Sequence, residues 1–430
     1  MAQDRITAST GQQYGLPERL TFVVEQLWGP ALAAGGVRAV LGADVGADPR
    51  WVTRERYQVL PTLASATMLL PDASRAATVG ALRNFRGLRR RVPNLQRTLL
   101  GALAQRGVSP FPRVALQVDS RHSAPPLPLA TVAAALGLAE VHASIGINRS
   151  ANRKTTLQLV SAQGAPEGFA KFSWEPVSVA AVRTEADALR AVGGRLGPAR
   201  APELLAAQDY HGSPFIVTAP LPDDSVGVRA GVQAPSAREL YSLLPLHRRA
   251  ALADTGQLRA LRARLAGVAR DSSNREVLSA AASLLDVIAA DDLEVPVGVR
   301  WHGDLAAWNV ARSGDGTLWC WDWESSEEDA AAGLDALHWH MSMGTEAGRA
   351  WDGAALALAT EAAGELTTAA GAPREARAPL AALYAATIAE RACTLAAGAG
   401  GWEAEWLLPP QLLDMITTAR AALVQRSRSA

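Results

Sequence analysis

The stretch that most constrains this chain is Trp301-His302-Gly303-Asp304-Leu305-Ala306-Ala307-Trp308-Asn309, followed by Trp319-Cys320-Trp321-Asp322-Trp323-Glu324. An Asp, an Asn five positions on and a second Asp thirteen beyond that supply oxygen groups at fixed short spacing. Such a set suits phosphoryl transfer, which needs one carboxylate to orient a hydroxyl and two further oxygens to hold Mg²⁺. Ser313-Gly314-Asp315-Gly316 is a turn signal. The segments Asn309 to Arg312 and Thr317 to Trp321 read as the two arms of a hairpin that carries Asn309 and Asp322 towards each other.

Composition narrows the setting. The chain has 430 residues, 49% hydrophobic, with a formal net charge of zero. That is enough for two or three packed units and offers no global case for nucleic-acid binding. Two cysteines, Cys320 and Cys393, make no disulfide framework. The beginning of the chain lacks the pattern of a signal peptide, and the apolar segment from Val23 to Val45 is broken by Glu25, Arg38 and Asp44, so a cytoplasmic protein without a membrane span is expected. Lys154 and Lys171 are the only lysines among 42 basic residues, which leaves forty arginines. With the high Ala content, this suggests a high-GC genome. It also singles out both lysines as places where a compact ammonium is needed.

Periodicity divides the chain. Helices are expected from Glu18 to Leu27, Ala73 to Phe85, Leu95 to Arg106 and Leu129 to Leu136, with strands between Tyr57 and Leu70 and from Val114 to Val118. Residues 141–147, 154–161 and 168–174 read as three strands, with Asn148 to Arg153 a polar turn, and a helix runs from Glu185 to Val192. Glu203 to Tyr210 and Pro214 to Ala219 read as two more strands joined at His211-Gly212-Ser213. From Pro222 the pattern turns to helices rich in Ala, Leu and Arg. The boundaries read as 1–135 for an amino-terminal cap or sheet extension, 136–221 for a strand-rich unit and 222–430 for a helical one.

His-Gly-Asp, then Asn, then Asp-Trp-Glu resembles the aminoglycoside phosphotransferase and choline kinase family, distant relatives of protein kinases. The resemblance covers about residues 140–400, with its specific motifs between 301 and 324. It implies an α+β, two-lobed protein-kinase-like fold: a strand-rich N-lobe with an amino-terminal extension, and an all-helical C-lobe around the catalytic loop and hairpin. Asp304 would be the catalytic base, His302 a support for the loop backbone, Asn309 and Asp322 the Mg²⁺ ligands, and Asp335 the buried brace of the loop. Lys171 would bind ATP phosphates with Glu185 as its partner. Ser144, Gly146 and Lys154 would line the loop over the nucleotide, although Lys154 also reads as an ordinary surface residue. Thr218, Ala219 and Leu221 would meet the adenine edge, Pro220 having no N–H. Asp-Trp-Glu in place of Asp-Phe-Gly removes the expectation of an activation-loop switch and points to a small molecule as acceptor.

The acceptor is read to class only, as a hydroxyl of a sugar or amino sugar. From Asp291 to Asp352 thirteen acids stand against three arginines, a bias that would favour a cationic substrate. Seven of the twelve tryptophans lie between Trp301 and Trp351, either as packing or as faces for a sugar ring, and Trp308, Trp323 and Glu324 are the substrate candidates. Nine arginines and one acid lie from Arg83 to Arg121, either a solvated helical face or a contact for an anionic membrane. Two other readings stand: a catalytically silent kinase-like binding protein, and a nucleotidyl transferase of the same fold.

Overall fold

The computed structural model describes residues 16–42, 49–84, 91–106, 115–147, 155–228, 234–269, 273–403 and 407–429. Lys154, the turn 148–153 and Arg86, Arg89, Arg90 and Arg113 lie outside them. The chain divides into two compact units, residues 1–186 with 203–223, and residues 187–202 with 224–430.

The first unit is a nine-stranded sheet with helices packed on it. Its strands are β1 (Val37–Gly42), β2 (Val52–Leu60), β3 (Met68–Pro71), β4 (Ala115–Ser120), β5 (His142–Gly146), β6 (Thr155–Val160), β7 (Pro166–Phe172), β9 (Leu204–Tyr210) and β10 (Ser213–Thr218), β8 belonging to the other unit. They run in the order β1-β4-β2-β3-β5-β6-β7-β10-β9. Every neighbouring pair is antiparallel. Strands β1 to β4 therefore extend one continuous sheet, with β3 paired to β5.

Period-two burial sets the inward face: Glu55, Tyr57 and Val59 are buried along β2, and Thr155, Leu157 and Leu159 along β6. Helices α1 (Glu18–Ala33), α2 (Arg75–Arg83), α3 (Arg91–Gln105) and α4 (Pro128–Ala135) accompany the sheet. Leu20, Val23, Val24, Leu27 and Trp28 of α1 enter the same core as Tyr57, Leu116 and Phe215. Within the arginine-rich run, Arg97 reaches inward to the Ala81 carbonyl, and burial lowers its pKa.

Helix α5 (Pro176–Val192) starts nine residues before the expected Glu185. Its opening Pro-Val-Ser-Val carries β-branched residues that read poorly as helix, but a proline at the first helical position lacks only an N–H that has no intrahelical partner there. The helix carries Glu185 in its first-unit part.

The second unit is mainly helical: α6 (Ala237–Leu243), α7 (Gly256–Gly267), α8 (Arg275–Ala289), α9 (Leu334–Glu346), α10 (Gly353–Ala362), α11 (Gly364–Ala369), α12 (Arg377–Ala399) and α13 (Pro409–Ser429). Helix α8 buries Val277, Leu278, Ala281, Leu284, Leu285 and Ile288, the stripe of an amphipathic helix. Helix α12, rich in Ala and Leu, is buried on most of its surface at the centre of this core. Residues Arg374–Ala399 are long and apolar enough to cross a membrane, yet 72% of that window is buried in the protein, as befits a core helix.

Beyond the expected hairpin, the unit holds strands that the helical reading of residues 222–430 did not include. It holds β8 (Ala199–Arg200), β11 (Val226–Gly227), β14 (Val310–Arg312) and β15 (Leu318–Cys320) in one small sheet, and β12 (Leu246–Ala251), β13 (Glu294–Trp301) and β16 (Glu327–Ala331) in another. Pro296 and Gly298 obscure the strand character of β13, though Val295 and Val297 are buried along it between its two neighbours. That buried strand ends at Trp301 and delivers His302 into the loop.

Candidate active site

The loop after β13 is held by a carboxylate from beneath. Asp335, in the first turn of α9, accepts the backbone N–H of His302 at 2.8 Å and of Gly303 at 3.0 Å, one on each oxygen. Burial pushes its pKa up, while His302 and the two N–H donors pull it down. Gly303 sits at φ 84°, and a Cβ there would lie 2.0 Å from the Ser325 carbonyl oxygen, so this turn admits glycine alone. Arg391 of α12 closes the other side, donating to the Gly303 carbonyl at 2.6 Å and the Ser325 carbonyl at 2.8 Å while stacking over Trp301.

His302 is fully buried and neutral. Its Nε2 lies 3.0 Å from the Trp321 carbonyl, which can only accept, and its Nδ1 accepts the Asp304 N–H at 3.2 Å. The two bonds fix the Nε2–H tautomer, and burial lowers the pKa in the same sense. His302 thus ties the loop to the hairpin and orients the Asp304 backbone; the expected support role fits, and direct chemistry does not.

Asp304 is half-buried and gripped on both oxygens. Asn309 Nδ2 donates to Oδ2 at 2.8 Å and to the Asp304 carbonyl at 3.0 Å, and His338 Nε2 donates to Oδ1 at 2.9 Å. With its amide nitrogen committed to Asp304, Asn309 has its Oδ1 left as the atom able to meet a cation. The hairpin forms as expected: Val310 pairs with Cys320, and the Trp321 N–H donates to the Asn309 carbonyl at 3.1 Å. Asp315 closes its turn by accepting from Ser313 and Thr317. Asp322 follows the hairpin at φ 66°, ψ 60°, a left-handed conformation that a non-glycine residue adopts at local cost and that is frequent at functional sites. Asn309 and Asp322 are oxygen donors of the kind Mg²⁺ takes, on adjoining ends of one hairpin, so the donor set fits that ion.

Within the first unit, Lys171 of β7 and the buried Glu185 of α5 form a partly buried pair, Nζ lying 2.6 Å from each carboxylate oxygen. The other nucleotide candidates divide. Ser144 is buried within the sheet and donates to Gln158 of the next strand at 2.9 Å, so its hydroxyl is committed to the fold and the expected ligand role is withdrawn. Gly146 ends β5 in the open. Thr218 is buried at the end of β10, and the Ala219 N–H is taken by the Glu203 carbonyl at 2.8 Å. The Leu221 N–H makes no such backbone hydrogen bond among the described residues.

The substrate candidates divide as well. Trp323 is 0% exposed, packs 4.4 Å from the His302 ring and donates to the Cys320 carbonyl, so it is core and not a sugar platform. Trp308 is 43% exposed beside Asn309, and Glu324 is half-buried in the short turn after Asp322. The acidic excess also shrinks. Asp291 pairs with Arg426, Glu327 with Arg264 and Arg391, Glu328 with Arg300, and Asp329 with Arg248. All but Arg300 of those arginines come from outside the segment, which a count along the sequence cannot show.

His338, Tyr384 and Arg391 were not singled out by the sequence. His338 stands three residues after Asp335 on α9, one helical turn along, and that spacing was the available signal.

No family model matches the chain, and no curated protein matches its sequence. Among solved structures it is similar to a choline/ethanolamine kinase family protein from Mesorhizobium loti, with 14% identity and a TM-score of 0.32, over 64% of this chain and 84% of that one. It is also similar to an aminoglycoside phosphotransferase from Alicyclobacillus acidocaldarius, with 15% identity and a TM-score of 0.31, over 64% and 90%. These are the two kinds of protein that the His-Gly-Asp loop resembles. A likeness of this degree carries no argument about activity, which rests on the site itself.

Proposed function

We propose that this chain is an ATP-dependent, Mg²⁺-dependent phosphotransferase that moves the γ-phosphate to a hydroxyl of a small molecule, a sugar or amino sugar. The observation that carries it is the Asp304 carboxylate, fixed by Asn309 and His338 on a loop that Asp335 and Arg391 hold rigid. A carboxylate so held accepts the proton of an attacking hydroxyl and aims its oxygen at phosphorus. The bond from acceptor oxygen to phosphorus forms as the β–γ bridging bond breaks, ADP leaves, and the proton rests on Asp304. Mg²⁺ held by Asn309 Oδ1 and Asp322 would offset phosphate charge. Lys171, steadied by Glu185, offers an ammonium for the nucleotide's phosphates. Trp308 offers an exposed indole face to an apolar sugar face. The compartment that fits is the cytoplasm, where ATP is supplied.

ATP consumption screened over D-glucose, D-galactose, maltose and D-glucosamine, with product mass read for each, tests this. A gain of one phosphate on an acceptor supports it. A gain of adenylate would establish nucleotidyl transfer, and no consumption with any sugar or amino sugar, with ATP bound, would establish a silent binding protein.

A further inference from the structure

We propose that His338 is a positioning residue for phosphoryl transfer, an imidazole whose Nε2–H locks the Asp304 carboxylate in its working orientation, with Tyr384 holding the other ring nitrogen. The inference rests on the reading of Asp304 as the base.

An aspartate has two rotatable bonds, and a half-exposed one on a loop turns freely unless both oxygens are held. In this site Asn309 holds Oδ2 and His338 holds Oδ1. Asn309 is also a candidate metal ligand, so the contact devoted to the carboxylate alone is His338. Its ring is buried on α9, with Trp351 edge-on at 5.6 Å and Tyr384 at 5.9 Å, so it has no room to swing away. The Tyr384 hydroxyl lies 3.0 Å from Nδ1. That hydroxyl is fully buried, and burial pushes its pKa well up, so it keeps its proton beside the ring. The Asp304 carboxylate can only accept, so the Nε2 facing it carries a hydrogen and points it at Asp304.

The sequence carries a third element of the same device. Asp335 and His338 lie one turn apart on α9, so the helix that braces the loop backbone also aims the loop's carboxylate. A shift of that helix would move both together.

The test is a set of variants assayed with ATP and the sugar panel above. His338→Leu leaves the Tyr384 hydroxyl unpaired and risks the fold, so it is read beside His338→Leu/Tyr384→Phe, which removes both partners. Both are expected to lose roughly 10- to 100-fold in kcat, the scale of a misplaced reacting group, with KM for ATP within about twofold. His338→Gln, whose Nε2 reaches where the imidazole Nε2 lies, is expected to recover most of the loss. A kcat for the double variant within about threefold of wild type, a loss that tracks KM instead, or a Gln variant no better than Leu would overturn the proposal. Asp304→Asn is the control: if it leaves kcat intact, the base assignment fails whatever His338 does. In that case ¹⁵N spectra of the imidazoles still decide the point, a bare Nε2 on His338 being the result that sinks it.

Discussion

Each half of this chain buries a carboxylate that makes no ion pair among the described residues, Glu55 in the first unit and Asp335 in the second. Glu55 takes both of its side-chain donors on one oxygen, from Trp28 at 3.2 Å and Tyr57 at 2.7 Å, and its Oε1 has no hydrogen-bond partner of good geometry. Burial raises its pKa to about 7. Asp335 takes one backbone N–H on each oxygen, from consecutive residues of the loop that carries Asp304. The same burial thus serves two ends: side-chain donors from separate elements make a packing hub, whereas paired backbone donors make a brace. A brace has to be judged by what it holds still, and that is Asp304.

The largest expected effect lies there. Asp304→Asn keeps the shape and removes the base, so kcat should fall roughly 10²- to 10⁴-fold with ATP affinity preserved. Calorimetric ATP binding beside steady-state rates checks this. If kcat stays near normal, the loop's rigidity serves something other than proton removal, and Glu324 is the next base to test.

Next comes the brace itself. Asp335→Leu strands two buried N–H groups, each worth about 1–3 kcal/mol when unpaired, so a loss of about 4 kcal/mol in urea unfolding is expected, with activity lost alongside. A loss below 1 kcal/mol would mean that Arg391 and His302 hold the loop without it.

Glu55 is expected to show itself through pH. Below about pH 4.5 both folded and unfolded chains hold its proton; between about 4.5 and 7 the unfolded chain has released it while the folded one has not. The folded state therefore binds more protons in that window, and stability falls as pH rises through it, by about 3 kcal/mol at most, levelling off above 7. Glu55→Gln should flatten that slope in thermal melts taken across the window, and an unchanged slope would remove Glu55 as its source.

The smallest effect is the contrast case. Asp187 and Arg190 on α5 pair at 2.6 Å, but both are more than half exposed, so Asp187→Ala should cost under about 0.5 kcal/mol. A larger cost would mean that partial burial is a poor guide to which charges matter in this protein.

What the sequence made legible follows the distance over which each contact reaches. His302, Asp304, Asn309, the turn at Ser313 to Gly316 and Asp322 act within about twenty residues of one another, and short fixed spacing is what a motif records. The Lys171–Glu185 pair was legible because lysine is scarce here. His338, Tyr384 and Arg391 reach the loop from 34 to 88 residues away or act through one another, and nothing local marks them. Trp323 stayed open between packing and a sugar face, and Ser144 was misread as a ligand, for the complementary reason: a residue type suited to a ligand is also suited to a core or a sheet, and only burial separates the two. Strand β13 was hidden by its own Pro296 and Gly298.

Arg391 closes a question that the composition opened. Forty arginines against two lysines suggest a genome in which one codon family has overrun the other, and at most positions either residue would serve. At Arg391 a single flat cation reaches two carbonyl oxygens on separate segments, Gly303 and Ser325, and lies over an indole. A lysine could meet one of the carbonyls and would leave the other without its donor. Drift back towards lysine is therefore open across most of this surface and closed here, so relatives with a balanced nucleotide composition should differ from this chain at many arginines and keep this one.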